Sequence, residues 1–200
     1  MQNIIISDIF GRTKELEEFS SNFNLPTEIH DPYSAKYMSF SSEKEAYNYF
    51  LEKVTLNKYA ETLLNRIQSI ESPVNLIGFS IGASAIWKIS DIINLNVKSA
   101  YCYYGSQIRN HLDIEPLFPI CLTFPSSEIH FSVNELMDKL ANKNNVTIRQ
   151  VPFLHGFMNH HSVNFNKKGY EQEISVLSEM SFNKFKKIYS DDIINNDYQD

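Results

Sequence analysis

Two of the six glycines in this chain of 200 residues stand on either side of one serine, in Gly78-Phe79-Ser80-Ile81-Gly82. The apolar run Val74-Asn75-Leu76-Ile77 leads into this pentapeptide, and the small residues Ala83, Ser84 and Ala85 follow it. Where a strand turns sharply into a helix, a serine at the corner presents its Oγ to solvent. The positions two before and two after are crowded by backbone, which favours glycine at both. The helix start also aims the amide of Ile81 at the space in front of the serine, where negative charge would develop during acyl transfer. A plainer reading makes Ser80 the N-cap of an ordinary helix. The glycine-rich loops that cradle phosphate, G-x-G-x-x-G and G-x-x-x-x-G-K-[ST], do not occur.

A serine nucleophile needs a base, and the base needs an orienting acid. In the chain order that goes with this type of turn the acid follows the serine and the histidine comes last. His155, in Pro152-Phe153-Leu154-His155-Gly156-Phe157, follows the strand-like run Val146–Val151 and has a glycine that lets the loop turn. His160 and His161 lie in a polar stretch, and His30, His111 and His130 read as surface or rim residues. Glu128 is the first carboxylate after the run Ile120–Phe124, so it is the expected acid. Its competitors are Asp113, which precedes that run, and Asp138, which falls inside the next helix.

These residues need a frame. Runs rich in Ile, Val, Leu and Phe predict strands over Asn3–Ser7, Thr27–His30, Pro73–Gly78, Val97–Tyr104, Ile120–Phe124 and Val146–Val151. Helical spacing predicts helices over Thr13–Asn22, Glu43–Phe50, Lys58–Ile70, Ile81–Ile93 and Ser132–Asn142, with a last one from Lys168 to about Tyr189. The alternation implies an α/β fold with a mostly parallel sheet and a ligand site beyond the carboxyl ends of its strands. A single domain over residues 1–190 is expected, with the acidic tail 191–200 disordered.

With 24 acidic against 18 basic residues, the formal net charge is −6, which argues against nucleic acid or an anionic membrane as partner. No apolar run approaches the roughly 18 residues of a membrane span. Cys102 and Cys121, each in a strand-like run, read as buried free thiols, in keeping with a reducing, cytoplasmic setting.

Taken together, "IIISDIFGRTKELEEF", "GFSIGA", "YCYYG", "SSEIHFSV" and "HGFMN" resemble the dienelactone hydrolase family of the α/β-hydrolase superfamily, over residues 3 to 185. The resemblance implies a three-layer αβα fold, a Ser80–His155–Glu128 triad and no metal or organic cofactor. It also implies an oxyanion hole made by the amide of Ile81 and by that of Ile9 or Phe10. Several features depart from the family pattern. Serine stands where the namesake enzymes use cysteine, the acid is Glu rather than Asp, and the sheet is expected to be trimmed at its N-terminal side. For the arginines that hold a carboxylate substrate, Arg12 and Arg109 are the only candidates. The implied activity is hydrolysis of small carboxylic esters or lactones through an acyl-enzyme. A catalytically silent scaffold that binds a small ligand or partner, and a thioesterase, are the alternatives. Phe10, Tyr104, Phe157 and Met158 are expected to wall an apolar pocket suited to short, uncharged acyl groups.

Overall fold

The computed structural model describes residues 1–179. Six strands, β1 (Gln2–Ile6), β2 (Thr27–His30), β3 (Val74–Phe79), β4 (Val97–Tyr103), β5 (Ile120–Phe124) and β6 (Val146–Gln150), form one all-parallel sheet in the order β2-β1-β3-β4-β5-β6. Helices α1 (Lys14–Ser20), α2 (Glu43–Lys53), α3 (Leu56–Gln68), α4 (Ile81–Lys88), α5 (Val133–Leu140) and α6 (Lys167–Glu179) connect or follow them. Each predicted strand is present within a residue or two of its expected bounds. The helix over Ile81–Ile93 stops earlier, at Lys88, because Ser90 folds back onto the Trp87 carbonyl and its own carbonyl is taken by the amide of Leu117. A 3-10 turn over Ser106–Asn110 had no sequence signal. The expected tail 191–200, and the last helix beyond Glu179, lie outside the described residues.

Strand pleating sends alternate side chains to opposite faces of the sheet. Ile4, Ile6, Leu76, Ala100, Cys102, Ile120 and Leu122 meet α2 to α5 on one face, where Phe50, Tyr59, Leu63, Ile86, Trp87 and Leu136 complete the core. Ile5, Ile77, Phe79, Tyr101, Tyr103 and Cys121 meet Phe19 of α1 and Leu177 of α6 on the other. This is the three-layer αβα arrangement. Both faces being covered explains why every residue of β3 is buried and all but Asn75 are apolar or glycine.

At the N-terminal ends of the central strands the core turns polar. Asn3 donates to Thr27 Oγ1 at 3.2 Å, Asn75 donates to Asn3 Oδ1 at 3.1 Å, and Ser99 donates to Asn75 Oδ1 at 3.2 Å. The row crosses β2, β1, β3 and β4. At the other edge Glu173 of α6, buried, pairs with Arg149 of β6 and accepts the Tyr103 hydroxyl of β4 at 3.0 Å.

Chain order and spatial order diverge at β1. From there one connection runs to β2 on one side, and the others build outward from β3 on the opposite side. Ligands in open α/β sheets bind at such a switch point, beyond the carboxyl ends of the two strands. Here those ends lead into Ser7–Gly11 and Ser80.

Candidate active site

Ser80 sits at the junction of β3 and α4 with φ 51° and ψ −108°, a conformation that L-residues adopt only under constraint. The constraint is visible on all sides. The Ser80 amide donates to the Tyr103 carbonyl at 2.9 Å, and its own carbonyl accepts both the amide and the hydroxyl of Ser84 at 3.1 Å. A Cβ on Gly82 would stand within 2.5 Å of the Ser7 carbonyl oxygen and closer still to that of Ile6. One on Gly78 would meet the Ala83 amide nitrogen at 2.8 Å. The two glycines therefore let α4 press against the ends of β1 and β3.

Ser80 Oγ lies 2.8 Å from His155 Nε2, and His155 Nδ1 lies 2.7 Å from Glu128 Oε1. The sequence brings these three residues from loops after β3, β5 and β6. The last two loops are tied together, since the Ser126 amide donates to the Phe153 carbonyl at 2.8 Å and Gln150 donates to the Pro125 carbonyl at 3.2 Å. On the far side Asn164 donates to the His155 carbonyl at 2.9 Å. Gly156, at φ 82°, makes the turn the sequence suggested, with Ser162 packed where a Cβ would go. The Tyr104 ring packs against His155 with centroids 5.0 Å apart. The side chains of His155 and Glu128 are 23% and 13% exposed, so one side of the imidazole still reaches solvent. Asp113 and Asp138 are exposed, away from this arrangement.

The turn after β1 settles which of its amides is open. The Phe10 amide donates to Asp8 Oδ1 at 2.9 Å, and at the other end of the same peptide the Ile9 carbonyl accepts the Tyr33 hydroxyl at 2.7 Å. The Asp8 carbonyl accepts the Gly11 amide at 3.1 Å, which turns the amide of Ile9 the opposite way. Among the described residues, the amides of Ile9 and Ile81 have no protein acceptor. The Phe10 amide, by contrast, is engaged within the turn.

Asp8 and Asn159 fall in segments quoted for the resemblance, but neither was singled out from the sequence. Asp8 is buried, and Asn159 Nδ2 donates to its second oxygen. Burial pushes the Asp8 carboxyl above its ordinary value, against the opposing pull of the bonds from Phe10 and Asn159. The Asp-x-Phe-Gly spacing carried the available signal, because aspartate at the head of a tight turn commonly accepts the amide two residues on.

A small cleft with Phe79, Tyr104 and Met158 in its wall has about 30 Å³ of room for water-sized groups, and Ser80, His155 and Glu128 do not line it. Tyr104 and Met158 both line this cleft. Phe157 does not, being fully buried between Phe153 and Tyr104. Phe10 stacks on His161 and lines a separate groove with Arg12 and Tyr37. Asp8, from the turn after β1, and Glu15, from the first turn of α1, also line this cleft. Neither candidate arginine reaches the cleft. Arg12 pairs with Glu17 at 3.3 Å, and Arg109 donates to the Ser106 carbonyl and lies over the Phe131 ring. Among the described residues there is no cluster of His, Cys, Asp and Glu able to hold a metal, and no helix long and apolar enough to cross a membrane.

No family model matches the chain. YczH of Bacillus subtilis (strain 168), an uncharacterized protein, is 34% identical over 156 residues, which are 76% of this chain and 76% of YczH. The chain belongs to the family of YczH. Among solved structures, a Klebsiella pneumoniae subsp. pneumoniae protein assigned as a dienelactone hydrolase superposes with a TM-score of 0.68 at 14% identity, covering 88% of this chain and 83% of that one. A dienelactone hydrolase-like promiscuous phosphotriesterase from metagenomic libraries gives 0.63 at 10% identity, covering 89% and 84%. Est1E from Butyrivibrio proteoclasticus gives 0.57 at 9% identity, covering 89% and 85%. This YczH relative therefore has the fold of dienelactone hydrolase and related α/β hydrolases.

Proposed function

We propose that the protein is a serine hydrolase of small carboxylic esters or lactones. The observation that carries this reading is the unbroken chain from Ser80 Oγ to His155 Nε2 and from His155 Nδ1 to Glu128 Oε1, at 2.8 and 2.7 Å. Ser80 Oγ attacks the substrate carbonyl carbon while His155 Nε2 takes the hydroxyl proton. Glu128 holds the ring in the productive tautomer and stabilises the imidazolium. The amides of Ile81 and Ile9 receive the oxyanion, with the N-terminus of α4 adding favourable potential. When the tetrahedral intermediate collapses, the carbonyl–oxygen bond to the leaving group breaks and His155 returns the proton to the departing alcohol. Water then repeats the sequence on the acyl-enzyme, releasing the acid and restoring Ser80. The fold shared with esterases and dienelactone hydrolases supports this chemistry.

A fluorophosphonate probe should label Ser80, as read by peptide mass mapping. Ser80→Ala should lose about 10⁴-fold or more in turnover of p-nitrophenyl butyrate. With no long insertion between β4 and β5 to form a lid, acetate and butyrate esters should be cleaved faster than palmitate. A folded sample that neither reacts with the probe nor cleaves any of these esters leaves the scaffold reading in place of this one.

A further inference from the structure

A hydrogen bond from Asn159 Nδ2 to the second carboxyl oxygen of Asp8 joins residues 151 apart in the chain, one in the turn that carries the Ile9 amide and one in the loop that carries His155. Both ends are held. On the Asp8 side, Oδ1 accepts the Phe10 amide at 2.9 Å, and the main-chain carbonyl, which shares its peptide group with the Ile9 amide, accepts the Gly11 amide at 3.1 Å. On the other side, the Asn159 amide donates to the Gly156 carbonyl at 2.9 Å, its Oδ1 accepts the His161 amide at 2.7 Å, and its carbonyl accepts the Ser162 amide at 3.0 Å. Asn159 therefore cannot turn its Nδ2 elsewhere by flipping, because the reversed side chain would set an NH2 group against the His161 amide.

Asp8 has as little latitude. It is 9% exposed, so a carboxyl oxygen that lost the Asn159 donor would have to seek another partner within the protein. A swing in that direction loosens the Phe10 bond that shapes the turn, and tilts the peptide that presents the Ile9 N–H. Small tilts matter at this place. An oxyanion donor works only from hydrogen-bond range of the developing charge, and a displacement of about 1 Å in a positioned group can cost about 10²-fold in rate. His155 is itself fixed between Ser80 and Glu128 at 2.8 and 2.7 Å, so the Asn159 bond ties the Ile9 amide to the loop of the base.

We infer that Asn159 is a positioning residue, acting through Asp8 to hold the Ile9 amide in the oxyanion hole. The inference rests on the hydrolase reading, which supplies the oxyanion. The pair permits an exchange. In Asp8→Asn/Asn159→Asp, the amide placed at position 8 keeps an oxygen for the Phe10 N–H and donates to position 159, where the carboxylate keeps an oxygen for the His161 N–H. All three bonds survive with donor and acceptor exchanged, whereas Asn159→Asp alone sets two carboxyls against each other. With p-nitrophenyl butyrate, and turnover expressed per site titrated with fluorophosphonate, Asn159→Asp should lose about 10²-fold in kcat with KM within about twofold of wild type. The exchanged pair should recover about tenfold or more of that loss. Asn159→Ala, at a half-buried position, should lose about tenfold in kcat, and it decides the matter if a carboxylate variant does not fold. Unchanged kcat per titrated site in Asn159→Ala or Asn159→Asp, a loss confined to KM, or an exchanged pair no more active than Asn159→Asp overturns the inference and spares the hydrolase. A wild-type protein that neither takes the label nor turns over removes both.

Discussion

The carboxyl that orients the histidine is a glutamate, one methylene longer than aspartate, and the structure accommodates it at 2.7 Å because the Ser126–Phe153 bond holds its loop close to the histidine loop. Glu128→Gln should fold normally and lose about 10²- to 10⁴-fold in kcat, since an amide supports the wrong tautomer of His155. Asp113→Asn, at an exposed position, should leave kcat unchanged; steady-state kinetics on p-nitrophenyl butyrate compares the two. Asp8 carries a different expectation. Burial raises its folded-state value above the ordinary 3.8, so the folded protein holds this proton more tightly than the unfolded chain does. The stability this contributes is full below the unfolded value and is lost as pH rises through the folded one. Urea unfolding of wild type and Asp8→Asn across the acid range should therefore show the wild type losing ground to the variant as pH increases. A difference that is flat with pH, or of opposite slope, would remove the burial argument for Asp8.

At the scale of elements, the site depends on how closely α4 approaches β1. Gly82→Ala would drive a methyl into the carbonyl oxygens of Ile6 and Ser7, and the relief available is for α4 to shift outward. Overpacking of this kind costs about 1–3 kcal/mol. Because the same shift separates the amides of Ile81 and Ile9, kcat should fall by more than the loss of folded protein explains, as measured by activity per mole of folded enzyme. Much of this architecture was legible in the sequence. The buried strands β3 and β5 show as mainly apolar runs ahead of the elbow glycines and Glu128, while His155-Gly156 follows β6, whose β-branched Val146, Thr147 and Ile148 mark a half-buried strand. Less legible were features whose cause is tertiary. Phe157 looks like a pocket residue by its place in the chain, yet packing between Phe153 and Tyr104 buries it. The end of α4 at Lys88 depends on Leu117, 29 residues later, capturing the Ser90 carbonyl. The two acids of the cleft come from the turn after β1 and the first turn of α1, a proximity to Tyr104 and Tyr170 that no local pattern encodes.

Across the whole molecule, buried polar groups mark both ends of the sheet. Glu173 joins α6 to β6 and β4 through Arg149 and Tyr103. Glu173→Ala leaves Arg149 largely buried without its partner and should cost about 3–5 kcal/mol in chemical denaturation, while kcat of the remaining folded enzyme stays unchanged. Loss of activity without loss of stability would mean that α6 bears on the chemistry directly. The row Thr27, Asn3, Asn75 and Ser99 has another consequence. Its links join neighbours in space that are distant in the chain, with Asn75 72 residues from Asn3. The face alternation of a strand forbids a one-residue slip, but a two-residue slip would keep every apolar side chain on its proper face. A slipped β1 would instead strand the amide of Asn3 among hydrocarbon. The row thus acts as a proofreading device during assembly, rejecting strand pairings that hydrophobicity alone would accept.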